Sequence, residues 1–241
     1  ISHDKNKKTI FYKNAWLKIY DKPLVYFPKF SHPDPTVKRQ SGFLAPIMSS
    51  SKNLGTSLEI PYFYVLSNNK DLTFRPRFYL NDETVIQNEY RQVNKNSSHV
   101  VDASLNSSDY LTSKKGNKAH IFTNSKFDLG TGYFDISNLE LNLQHVSNDT
   151  YLKKYKIDSS LIDNETILSS YFTFTGQSED LYVTSSIGSY QDLSKTKKDR
   201  YEFIYPNYEI IKNFEGVNSN FSEITLSSYG YQKKYETNIY E

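Results

Sequence analysis

The 241 residues carry 29 Lys and Arg against 27 Asp and Glu, a formal net charge of +2, so the clear basic excess of a nucleic-acid binder is missing. Cysteine is absent, which excludes disulfides within the chain, thiolate metal sites and a cysteine nucleophile. The apolar share is 37%, low for one solid core, while 21 Tyr and 15 Phe among many Ser, Thr and Asn favour strands and turns over helices. No run of about 18 apolar residues occurs, so a transmembrane helix is excluded, although a membrane-spanning β-barrel is not. No apolar leader precedes Ile1, and the expectation is that any signal peptide is removed or lies outside this sequence.

Residues 1–30 open with a polar, lysine-rich piece. Two strand-like runs follow, 9–20 and 24–30, joined by Asp21-Lys22-Pro23 as a hairpin-like turn. Two strands alone are marginal in water, so this piece reads as the end of a larger β domain. Residues 31–41 contain Pro33, Pro35, Lys38 and Arg39. Proline at that density does not run through a central strand, which makes this stretch an extended linker.

From Gly42 to the end, 42–241, about eleven strand candidates succeed one another: 42–51, 55–67, 71–80, 84–93, 98–107, 118–128, 133–146, 166–176, 180–191, 201–213 and 220–232. Leu139, Leu141 and Leu143 point one way while Glu140, Asn142 and Gln144 point the other. Phe74, Phe78 and Leu80 oppose Arg75, Arg77 and Tyr79. Period two with one apolar and one polar face describes an antiparallel sheet between two different solvents. The candidates exceed the five or six residues usual in soluble proteins and approach the roughly 9–11 that a tilted strand needs to cross a bilayer. Tyr and Phe gather near strand ends, as Tyr62-Phe63-Tyr64 and Tyr171-Phe172 do, in the manner of aromatic girdles. Alternate connections are short turns, and the others lengthen at 108–117, 147–165 and 192–200, as periplasmic turns and extracellular loops do. An odd strand number suits a piece of a larger bacterial barrel rather than a whole one.

Catalytic patterns are missing. The five histidines, His3, His32, His99, His120 and His145, show no metal-ligand spacing. No GxSxG or phosphate-binding glycine loop occurs, and the scattered carboxylates single out no glycosidase pair. The expectation is a non-enzyme without cofactor or metal.

The block from Tyr26 to Arg77 resembles the outer-membrane lipopolysaccharide-assembly family LptD, also called organic-solvent-tolerance protein. The resemblance rests on Phe27-Pro28-Lys29-Phe30, on SHPDPTVKRQSGFLAP from Ser31, and on SSSKNLGTSLEIPYFYVLSNNKDLTFRPRFY from Ser49. It continues more loosely through Asn88-Glu89-Tyr90-Arg91 and Val146 to Leu152. It implies that residues 1–30 end a periplasmic β-jellyroll, that 31–41 form the junction, and that 42–241 begin a large outer-membrane β-barrel. The implied function is lipopolysaccharide transport and insertion into the outer leaflet, through a lateral gate beside the first barrel strand. The implied partners are lipopolysaccharide, a plug lipoprotein LptE and the periplasmic bridge protein LptA. Family disulfides between jellyroll and barrel have no counterpart here, because the chain has no cysteine.

Pro46 falls in the first barrel strand and Pro61 in the second. Each lacks an N–H and removes a potential ladder hydrogen bond, and both match the family's gate prolines. Without the resemblance, edge placement explains them equally well. Lys38 and Arg39 have two readings, contacts to a lipid phosphate at the junction or a solvated pair that fixes the linker. Arg75, Arg77, Glu89 and Arg91 are expected to face the barrel lumen. A different class of function, a soluble or surface-exposed β protein that binds glycans through its tyrosines, would require two short-stranded sheets packed face to face.

Overall fold

The computed structural model describes residues 1–5, 8–19, 21–34, 39–51, 54–80, 83–106, 118–195, 199–215 and 223–235. The N-terminal part is a three-stranded antiparallel sheet of β1 (Ser2–Asp4), β2 (Thr9–Ile19) and β3 (Lys22–Pro33), in that order. Strand β3 pairs from Lys22 to Pro33, three residues into the stretch read as linker. It tolerates Pro23, Pro28 and Pro33 because it is an edge strand, where a missing N–H need not break a second ladder.

All remaining strands form one antiparallel sheet. Its first two spans are each split: β4 (Gly42–Phe43) and β5 (Ile47–Ser51), then β6 (Gly55–Glu59) and β7 (Tyr62–Ser67). Unbroken strands follow as a meander: β8 (Lys70–Tyr79), β9 (Thr84–Asn94), β10 (Ser97–Asn106), β11 (Ala119–Asp128), β12 (Ile136–Val146), β13 (Ile167–Gln177), β14 (Leu181–Asp192), β15 (Tyr201–Glu215) and β16 (Glu223–Tyr235). Each neighbours the next, and the two ends of the sheet do not pair with each other among the described residues. The spans read from the alternation are recovered to within about three residues at their ends, the first two as split strands.

The two faces of this sheet reverse the rule for water-soluble proteins. Phe74, Phe78, Leu105, Ile121, Leu141, Leu143, Phe172 and Ile187 are exposed, whereas Glu59, Asp71, Gln87, Glu89, Asp102, Asn142 and Gln144 are buried. Strand pleating puts the two sets on opposite faces. The polar set is covered by the connection between β12 and β13. That connection carries the short helix α1 (Tyr151–Tyr155) and folds back over the sheet. Tyr151 and Leu152 are fully buried, and with Tyr155, Ile157, Phe122, Val85 and Tyr79 they form the hydrophobic cluster. No helix among the described residues is long and apolar enough to cross a membrane.

Candidate functional site

The sheet edge at β4–β5 is where proline acts. Register places Leu44 opposite Pro61, and the Leu44 N–H donates to the Pro61 carbonyl at 2.9 Å. An antiparallel pair of this kind normally exchanges two bonds, but Pro61 has no N–H to return. One strand further in, the Ile60 N–H donates to the Pro76 carbonyl at 3.1 Å, and Pro76 likewise returns nothing. Pro46 stands in the interval between β4 and β5, level with the interval between β6 and β7. Two adjacent ladders are thus thinned at one height. Each missing bond weakens the pairing by about 0.5–1.5 kcal/mol in water. Pro76 went unmarked in the sequence reading, although its signal is there: Pro46, Pro61 and Pro76 recur at the spacing of successive hairpin strands.

At the junction, Lys38 lies outside the described residues. The Arg39 guanidinium donates to the Asn68 carbonyl at 2.6 Å and pairs with the Asp71 carboxylate. Asp71 is buried and also accepts from Arg91 Nε at 2.8 Å. The Val65 N–H donates to Ser41 Oγ at 2.8 Å, and Gln40 reaches Thr9 Oγ1 at 3.3 Å. Residues 39–41 therefore stitch the end of the linker to the second and third spans of the large sheet.

Arg75, Arg77, Glu89 and Arg91 share the polar face, and each guanidinium there has a carboxylate. Arg77 donates to Glu59 from Nε at 2.8 Å, Arg75 lies 3.5 Å from Glu89, and Arg91 lies 3.6 Å from Glu89. Paired, hydrogen-bonded charges of this kind meet the condition for burial. Arg77 also donates to the Tyr155 carbonyl at 2.6 Å, so it ties the end of α1 to the strand beside Pro61.

The covering connection is fastened along its length. Tyr155 Oη donates to Glu83 at 2.6 Å, and Lys154 Nζ lies 3.1 Å from the same carboxylate. Burial pushes the Glu83 carboxyl up, but these hydrogen bonds more than offset it and hold the group below the usual carboxylate range. Gln87 donates to both oxygens of Asp102, at 3.0 and 2.9 Å, and to the Asp158 carbonyl at 2.9 Å. Burial pushes the Tyr151 phenol up to about 12, so it remains a neutral hydroxyl.

Ser104, His120 and Asp102 converge, a grouping that the sequence separation of β10 and β11 hid. Ser104 Oγ is 2.6 Å from His120 Nδ1, and His120 Nε2 is 3.4 Å from Asp102. The three side chains are buried, and Ser104 Oγ also bonds Tyr151 Oη at 2.8 Å. A hydroxyl capped in this way has no room for a substrate carbonyl, and the group serves to hold α1 against the sheet. Among the described residues no His, Cys, Asp and Glu group is arranged to hold a metal.

No family model matches the chain. It is 27% identical over 187 residues to the LPS-assembly protein LptD of Francisella tularensis subsp. holarctica, covering 78% of this chain and 20% of that protein. It is 28% identical over 196 residues to LptD of Nitrosospira multiformis, covering 79% and 20%. With LptD of Legionella pneumophila it shares 25% identity over 221 residues, covering 87% and 25%. The chain spans about a fifth to a quarter of the length of these curated relatives. This shared sequence supports reading the chain as a fragment similar to the LptD family.

Proposed function

We propose that this chain forms part of a translocon that carries lipopolysaccharide to the outer leaflet of the outer membrane. In this reading β1–β3 end a periplasmic jellyroll, residues 31–41 are the junction, and β4–β16 begin a transmembrane barrel. The observation that carries it is the reversed polarity of the large sheet, with exposed Leu141, Leu143 and Phe172 backing buried Asn142 and Gln144. A barrel wall needs such reversal, because lipid lies outside and a polar lumen inside. A soluble glycan binder built of two packed sheets would bury that apolar face instead. Arg75, Arg77, Glu89 and Arg91 then line the lumen, and the connection carrying α1 narrows it. The protein does no covalent chemistry on its cargo.

The free edge of β4–β5 is the gate. It meets the closing strand of the barrel, and lipid leaves sideways there. In hydrocarbon an unsatisfied backbone group costs several kcal/mol, so an edge short of a donor at Pro46, backed by a ladder thinned at Pro61, opens more readily than a complete one. Lipopolysaccharide arrives from the bridge protein LptA, and the lipoprotein LptE plugs the completed barrel. Arg39, committed to Asp71, fixes the junction; Lys38 is the residue left to meet a lipid phosphate. The test is to replace Pro46 and Pro61 together with Ala in the full-length protein and measure lipopolysaccharide at the cell surface. Export should fall several-fold while the barrel still assembles. Unchanged export removes the gate role.

A further inference from the structure

The ladder between β12 and β13 stops early. Backbone pairing runs from Ile136 opposite Gln177 to Asn142 opposite Tyr171, yet β12 continues to Val146 and β13 starts at Ile167. Continued register sets Gln144 opposite Ser169. Side chains satisfy the backbone groups of that pair instead. The Gln144 N–H donates to Ser170 Oγ at 3.0 Å, and the Ser170 hydroxyl reaches the Gln144 carbonyl at 3.3 Å. The Ser169 N–H donates to Gln144 Oε1 at 2.8 Å, and Asn142 Nδ2 donates to the Ser169 carbonyl at 2.7 Å. A side chain inserted between two backbones widens their spacing. Because every backbone group of the Gln144–Ser169 pair is satisfied, that pair meets the demand that lipid makes on a membrane wall.

A cavity of about 420 Å³ lies at this breach. Apart from the buried Gln144 and Leu168, its lining follows the outer face: Ser170 sits opposite Ser189, two residues along each strand from exposed Phe172 and Ile187. Around it that face carries the exposed apolar side chains of Ile121, Leu141, Leu143, Phe172 and Ile187. Here it offers the hydroxyls of Ser189 and Tyr201, the amide of Gln191 and the imidazole of His145, with Ile121 and Leu143 at the rim. The cavity stands at the strand ends that carry the long connections 147–166 and 193–200. No Lys or Arg is among its lining residues.

We propose that this cavity seats the hydroxyl-rich sugar headgroup of a membrane glycolipid, whose acyl chains run down the apolar face over Leu141 and Phe172. Neutral donors and acceptors suit sugar hydroxyls, and their position on the lipid-facing side at the ends of the strands matches the level of a headgroup. The proposal rests on the membrane-barrel reading above. The experiment uses full-length protein in vesicles of phosphatidylethanolamine and lipopolysaccharide, with a photoreactive phenylalanine placed at Ser189 or at Phe172. Adducts at Ser189 should be enriched several-fold in lipopolysaccharide over its share of the vesicle. Gln191→Ala and Tyr201→Phe should each lower that enrichment. Lipid adducts at Phe172 with phospholipid alone, or the bulk ratio, at Ser189 overturn the site and leave the barrel reading standing. No lipid adduct at Phe172 overturns both.

Discussion

The first two spans of the large sheet and the strands that follow share one topology but are held in different ways. In β8–β12 the ladders are continuous, and the polar face is roofed by α1 through buried Tyr151, Leu152 and Tyr155. In β4–β7 both spans are interrupted at proline, Ile47 and Met48 are exposed, and β5 has one neighbour among the described residues. Free energy is thus concentrated in the body of the wall, while the edge depends on whatever pairs with it. The proposed gate, which would open at one place and hold at another, needs this contrast. Arg77 is the link between the two regions, because it grips Glu59 at the edge and the Tyr155 carbonyl in the body.

The contrast can be broken from the body side first. Tyr151→Ala deletes a fully buried aromatic ring and the bond to Ser104. It should destabilise the covered region by about 3–5 kcal/mol. Hydrogen exchange should report the loss in β10 and β11 and leave β4–β5 unchanged; equal loss in both regions would contradict the separation. Arg77→Met strands a buried Glu59 carboxylate, a change of about 3 kcal/mol or more. It should raise exchange in both β6 and α1, since Arg77 joins them. A response limited to β6 would deny the link.

Acid should have the smallest effect. The folded Glu83 carboxyl sits below its unfolded value near 4.5. Its contribution is therefore complete above that value and is lost as pH falls through the lower folded value. The α1 region should loosen in that acid window before the strands do, and Glu83→Gln should remove the pH dependence. Proteolysis within 147–165 as a function of pH provides the measurement.

Much of this was legible in the sequence, for a physical reason. Two-residue periodicity with unlike faces dictates strands, and Leu139 to Gln144 alone defines which face is which. What could not be read was how the connection 147–165 is used. Tyr151, Leu152 and Tyr155 are three of six aromatic or apolar residues scattered through a long loop of otherwise polar residues, and nothing local distinguishes a loop in solvent from one folded onto a sheet. Their partners, Ser104, Asn106 and Arg77, are 47, 49 and 78 residues away. The Ser104, His120 and Asp102 cluster was hidden likewise, because its members meet only once β10 and β11 are in register. The prolines were visible; that Pro76 extends the weakness inward required the register of β6 against β8.

The claim that the proline-broken edge is where lipid leaves is tested most directly at Ile47, which is 54% exposed on β5. A photoreactive residue there, in the full-length protein in living cells, should crosslink to lipopolysaccharide, and the yield should fall when Pro46 and Pro61 are both Ala. Lipopolysaccharide adducts absent from Ile47, or insensitive to the two prolines, would contradict the account.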